Sequence, residues 1–181
     1  MDPANLFHAL AFAADKHRMQ RRKDPDATPY INHPIAVATV IAIEGEVMDE
    51  ATLLCALLHD TVEDTDTTFA ELAQHFGPEV AALVRELTDD KSLAKSERKR
   101  LQIEHAKAAT ARAKQVKIAD KICNVRDVAA CAPADWSRQR RLEYLRWSEL
   151  VVAGCRGVNP KLEQAFDEAV LLARETTDCQ P

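Results

Sequence analysis

Residues 49–60 read DEATLLCALLHD. Leu53, Leu54, Leu57 and Leu58 fall at the spacing that lines one stripe of a helix with apolar side chains. Asp49 stands where a helix N-cap would stand. The pattern therefore predicts a core helix. Reading on through residue 64, LLHDTVED brings His59, Asp60, Glu63 and Asp64 together within six residues. Ionisable groups at the end of a buried helix are costly unless something compensates them. Acids there also oppose the helix dipole, so a merely polar terminus has a local cost to explain.

The rest of the chain repeats the helical theme. NHPIAVATVIAIE places Pro34 where the first residue of a helix would sit, a favourable place for proline. TTFAELAQHFG starts on threonine with Glu71 shortly after and stops at Gly77, and Pro78 opens the next helix, through Leu87. SERKRLQIEHAKAA, AKQVKIADKICNVRDVAA and a segment starting at Asp135 follow, and Asn159 with Pro160 launches a last helix to about Arg174. The first helix, from residue 5, is expected to end near Lys23, before Pro25 and Pro29. No alternating strand pattern appears, and four glycines with 5% aromatic residues are too few for a sandwich or barrel. The expected fold is all-α, an irregular multi-helix bundle forming one domain over residues 1–181.

Composition narrows the function classes. No run of 18 apolar residues is present, and the N-terminus lacks a basic segment followed by an apolar one, so neither a membrane span nor a signal peptide is expected. Five cysteines without a C-x-x-C pair point away from disulfide frameworks and zinc ribbons and towards a reducing cytoplasm. The net charge of −5 is uneven, because residues 91–121 carry ten Lys/Arg against three carboxylates, an excess of +7 that leaves −12 elsewhere. Bulk acidity opposes non-specific nucleic-acid binding, while the basic segment leaves room for a small anionic ligand. Neither a P-loop nor a dinucleotide glycine fingerprint occurs.

His59 and Asp60 diverge by about 100° on a helix, yet both can reach an ion over that edge. Manganese and related divalent ions take such mixed imidazole and carboxylate donors. Two further donors are available from other segments. His33 precedes Pro34 in YINHP, and Asp120 lies among Ile118, Ala119 and Ile122 in KIADKICNVRD. The order H…HD…D thus supplies two imidazoles and two carboxylates from three segments. Glu63 and Asp64, four residues beyond His59 and Asp60, would flank the ion if the helix held one more turn, placed to orient or deprotonate a water. Asn124 and Asp127 share a helical face with Asp120. Lys16, His17, Arg18, Arg21, Arg22 and Lys23 form a basic cluster suited to phosphate, and Arg22 could stack on a nucleobase. Cys55, Cys123, Trp136, Trp147 and Phe166 are assigned to packing.

KHRMQRRKDPDATPYINHP, ALLHDTVEDT, TDDKSLAKSERKR and KIADKICNVRD together resemble the HD-domain hydrolases of guanosine tetraphosphate. The resemblance is closest to the stand-alone small alarmone hydrolases of metazoan SpoT-homologue type and covers nearly the whole chain. It implies an all-α HD fold and one Mn²⁺ held by His33, His59, Asp60 and Asp120. It also implies removal of the 3′-pyrophosphate of ppGpp or pppGpp, with Glu63 and Asp64 positioning the attacking water. Arg22 and Lys23 then match base- and ribose-side contacts, Asn124 a substrate contact, and Lys95, Arg140 and Tyr144 positions near the phosphates. The alternative substrate within the same resemblance is the 2′-phosphate of NADPH.

Overall fold

The computed structural model describes residues 2–133 and 135–179. Among them the regular structure is helical, and the one extended pairing is an isolated bridge between Arg21 and Pro29. The helices are α1 (Pro3–Lys16), α2 (Asn32–Thr39), α3 (Glu50–Leu58), α4 (Thr61–Asp64) and α5 (Phe69–Leu87). They continue as α6 (Lys95–Ala108), α7 (Ala111–Cys131), α8 (Arg138–Ala153) and α9 (Pro160–Cys179). A five-residue π-helical segment, Val40–Glu44, prolongs α2. No helix among the described residues is long and apolar enough to cross a membrane.

Local chemistry explains most of the helix starts. Asp49 accepts from the Thr52 amide at 3.0 Å and caps α3. Thr68, Thr110 and Ser137 do the same for α5, α7 and α8. The Asn159 side chain accepts from the Lys161 and Leu162 amides, capping α9. Each such cap satisfies amides that the helix leaves without a partner.

α5 is two helical pieces joined at Gly77, whose φ of 86° and ψ of 160° belong to a region open almost only to glycine. Pro78 then restarts the helix. A Cβ at Gly77 would meet nothing within 4 Å, so the constraint is on the backbone and not on space. Gly77→Ala is expected to lower unfolding stability by about 1–3 kcal/mol, measured as a shift in denaturant midpoint.

Two helices organise the core. Every residue of α3 from Ala51 to Leu58 is buried, and α3 packs on α1, α2, α5 and α7. α7 buries Ala113, Val116, Ile118, Ala119, Ile122 and Val125 and makes its largest interface with α9, from which Phe166 enters the core. Cys55 and Cys123 are buried as expected, and burial pushes the Cys123 thiol up to about 12.

α1 ends at Lys16, well short of Lys23. The chain there turns back on itself: the Arg22 amide donates to Thr28 O at 2.9 Å and the Tyr30 amide to Gln20 O at 3.1 Å. This folded-back loop ends the helix before either proline is reached and delivers Tyr30 and His33 to the end of α3. At its far end, α9 runs past Arg174 to Cys179.

Candidate metal centre

The start of α2, the end of α3 and the middle of α7 converge on one point. His33 is the second residue of α2, His59 follows the last residue of α3, Asp60 precedes α4, and Asp120 lies mid-way along α7. His33, His59 and Asp60 each offer a donor atom within 4.8 Å of the others. Asp120 joins them, with Oδ1 at 3.0 Å from His33 Nε2 and 3.9 Å from His59 Nε2. Asp60 Oδ2 is 3.0 Å from His59 Nε2 and 3.9 Å from His33 Nε2. All four sequence-derived candidates therefore meet.

The break between α3 and α4 creates this arrangement. The helix does not run straight on as the sequence pattern allowed; Asp60 takes φ −96° and ψ −4°, and α4 begins one residue later. The Asp64 amide still donates to Asp60 O at 2.9 Å, so Glu63 and Asp64 stay one turn beyond the pair.

The donor set fits a divalent cation. His59 Nδ1 donates to Ala56 O at 2.8 Å, which leaves a lone pair on Nε2 in the neutral ring. That Nε2 is fully buried and makes no hydrogen bond, although two carboxylates lie near it. Around the donors the carboxylates are held in place: Tyr30 donates to Asp60 Oδ2 at 2.6 Å, Lys121 to Asp120 Oδ2 at 2.9 Å and Asn124 to Asp120 Oδ1 at 2.6 Å. Burial, reinforced by the Asp60 charge, keeps the Tyr30 phenol protonated and donating.

The same carboxylates call for positive charge when no ion supplies it. Burial disfavours a charged His59, but Asp60 and Asp120 override it and push the imidazole up to about 9. A folded-state value above the ordinary 6.5 means that the folded chain holds this proton more tightly than the unfolded one. The resulting stabilisation is complete below pH 6.5 and lost as pH rises through 9. Thermal unfolding of chelator-treated protein is therefore expected to fall across that window, and a saturating divalent ion to flatten the fall.

Glu63 and Asp64 have different surroundings. Burial, with Asp89, Asp60 and Asp64 nearby, raises the Glu63 carboxyl to about 7, although the Asp89 amide donates to it at 3.0 Å. Asp64 is tied down instead, accepting from Gln20 Nε2 at 2.8 Å and pairing with Lys91. Gln20 in turn bonds the buried His17 at 2.7 Å.

Two clefts share lining residues with the cavity that holds these donors, one through Glu63 and Gln102 and the other through Tyr30 and Asn124. One, of about 530 Å³, is lined by Lys95, Arg98, Lys99, Arg140, Tyr144 and Trp136 among others. The other, of about 620 Å³, carries Arg22, Lys23, Asn124, Tyr144 and Trp136. Tyr144 and Trp136 belong to both walls, with ring centroids 5.2 Å apart. Arg22 donates to Asn124 Oδ1 at 3.2 Å, pairs with Asp127 and lies over the Tyr30 ring. Arg140 pairs with Asp135 at 3.1 Å and lies over Trp136.

The predicted basic cluster is divided by the fold. Arg21, Arg22 and Lys23 line the second cleft, whereas Lys16 pairs with Glu71 and Asp66, Arg18 with Asp15, and His17 is buried. Trp136 and Trp147 pack against the core as expected and also line the cationic cleft. Tyr30, Gln20, Lys91, Lys117 and Lys121 also surround the site, and no motif in the sequence marks them individually. Only the basic excess of residues 91–121 pointed towards the last three.

Comparison with known proteins gives the family of the chain. Residues 9–146 match the family described as HD domain. Guanosine-3′,5′-bis(diphosphate) 3′-pyrophosphohydrolase MESH1 of Xenopus tropicalis is 55% identical over 166 residues, covering 92% of this chain and 93% of its own. The Homo sapiens protein of the same name is 54% identical over 165 residues, covering 91% and 92%. A solved structure of a metazoan orthologue of SpoT that hydrolyses ppGpp superposes with a TM-score of 0.90 at 50% identity, covering 93% of this chain and 95% of that one. With a family match over most of its length and relatives this similar across nearly all of it, the chain belongs to the HD-domain family, among the MESH1-type 3′-pyrophosphohydrolases.

Proposed function

We propose that this chain hydrolyses the 3′-pyrophosphate of guanosine tetra- and pentaphosphate, giving GDP or GTP and pyrophosphate, with one Mn²⁺ held by His33, His59, Asp60 and Asp120. The observation that carries the reading is the meeting of two imidazoles and two carboxylates, 3.0–3.9 Å apart, beneath a cleft lined by Lys95, Arg98, Lys99 and Arg140. Relatives covering nearly the whole chain carry this activity in their names.

When bound, the divalent ion offsets charge on the phosphate and lowers the pKa of water. The protein's own groups do the rest. Arg22, Lys23 and Asn124 line the cleft for the nucleoside, and Lys95, Arg140 and Tyr144 line the cleft for the 5′-phosphates. Glu63 accepts a proton from the attacking water as its oxygen bonds to the phosphorus next to the ribose. The bond from that phosphorus to the 3′-oxygen breaks, and this oxygen leaves as the ribose hydroxyl by taking a proton from solvent, to which Glu63 then releases the one it accepted. Asp64, fixed by Gln20 and Lys91, orients the water. Free, buried Cys55, Cys123 and Cys155 suit a reducing cytoplasm.

Chelator-treated protein, reloaded separately with Mn²⁺, Mg²⁺ or Zn²⁺ and given ppGpp, tests the reading. Mn²⁺ is expected to restore pyrophosphate release most fully. Absence of GDP and pyrophosphate with every ion would overturn the activity, and a better result with another ion would overturn the choice of manganese.

A further inference from the structure

Lys117, Asp120, Lys121 and Asn124 follow one another at i, i+3, i+4 and i+7, a single stripe of α7, and all four line the cavity of the metal centre. Two lysines thus line the site, 7% and 5% exposed. Lys121 has partners: it donates to Asp120 and lies 4.6 Å from the centre of the Trp147 ring. Among the described residues Lys117 has no hydrogen-bond or ion-pair partner, and Asp120 and Asp89 act on it only through longer-range charge. Its nitrogen nonetheless differs from those of His17 and His33, which are sealed from solvent without a partner. Lys117 is itself one of the residues that line the cavity.

A buried ammonium without a directly bonded anion is a heavy local cost, and a helix interior normally excludes one. Burial, with the Lys121 charge nearby, lowers the readiness of Lys117 to hold its proton, and the Asp120 and Asp89 carboxylates offset this only in part. Such a group is retained where a ligand brings the anion.

We infer that Lys117 is a binding group for the distal phosphate of a pyrophosphate ester, and so selects pyrophosphate over monophosphate at the metal centre. The inference rests on the proposed hydrolase reading and on the order of groups along α7. Asn124, bonded to Arg22, marks the nucleoside end, and Asp120 marks the reacting phosphorus. Lys117 lies three residues further towards the helix N-terminus, about 4.5 Å along the axis. That step suits the next phosphorus of a pyrophosphate and is left unfilled by a monophosphate.

The test compares wild type with Lys117→Met and Lys117→Gln, each titrated with inorganic pyrophosphate and separately with inorganic phosphate at fixed excess Mn²⁺, and followed by thermal unfolding. Wild type is expected to prefer pyrophosphate. Both variants are expected to weaken pyrophosphate by about tenfold to hundredfold, as for a lost charged hydrogen bond, with phosphate affinity changed less than about twofold. The unliganded Met variant is expected to melt higher than wild type, because the unpaired charge is gone. Variants that bind pyrophosphate as wild type does, or a wild type with no preference for it, overturn the inference. Turnover of ppGpp by wild type is scored separately: a wild type that turns it over without that preference loses this inference alone. One that shows the preference, loses it in the variants, yet leaves ppGpp intact upholds the role of Lys117 and overturns the hydrolase reading.

Discussion

Asp60→Ala is expected to remove pyrophosphohydrolase activity by about a thousandfold or more, and with it stoichiometric metal. Asp60 Oδ2 sits 3.0 Å from one imidazole nitrogen and 3.9 Å from the other. Its loss takes away a donor and half of the negative charge that makes the centre attractive to a cation. A bound divalent ion supplies several kcal/mol of charge stabilisation in such a reaction, and each 1.36 kcal/mol is a factor of about ten in rate. The substitution has a second effect. The Tyr30 hydroxyl loses its 2.6 Å acceptor in a buried setting, so the loop that carries His33 loosens as well. Metal content by mass spectrometry and ppGpp turnover on one preparation check both effects. Full occupancy with activity lost would assign Asp60 a role other than ligand.

Glu63→Gln is expected to keep the metal and lose activity by about 10²–10⁴-fold, the range for removing a general base. Glutamine fills the same volume and can still accept from the Asp89 amide, so the fold has little reason to change. What disappears is a carboxylate that burial has raised to about 7. Only its deprotonated form can take a proton, so kcat/KM falls on the acid side as pH drops through that group's pKa. A divalent ion nearby favours the charged form and draws the midpoint below 7. The acid limb is therefore expected between about 4.5, the ordinary glutamate value, and about 7, and the variant should lack it. A variant whose pH profile keeps this limb would place the base elsewhere.

Much of the architecture was legible because local rules agree with it. Asp49 and Thr68 cap the helices they precede in sequence, Gly77 breaks α5 and Pro78 restarts it. The four candidate donors were legible for a related reason. Histidine and aspartate in apolar helical surroundings are expensive, and their number and order suit one ion. The less legible features depend on contacts between distant segments. Lys16–Lys23 has good helix formers, and only the pairing of residues 20–22 with 28–30 shows why α1 stops early. The division of that basic cluster follows from partners such as Glu71 and Asp66, which nothing in its own sequence announces. Val40–Glu44 reads as a plain continuation of α2, and no local signal marks its π-helical winding. Lys117 was hidden inside a basic excess, because periodicity alone does not tell a solvated lysine from one turned towards a cavity.

His33 and Asp120 approach to 3.0 Å although 87 residues separate them in the chain. A contact of that span carries a large loop-closure entropy and forms only when the intervening helices have docked. The donor set therefore has no local precursor: no single helix or hairpin of this protein contains enough of it to hold an ion tightly. During synthesis the centre cannot close until α7 has emerged and packed. Metal uptake thus reports completion of the fold, and a nick anywhere between Asp64 and Asp120 that lets α7 separate would release the ion.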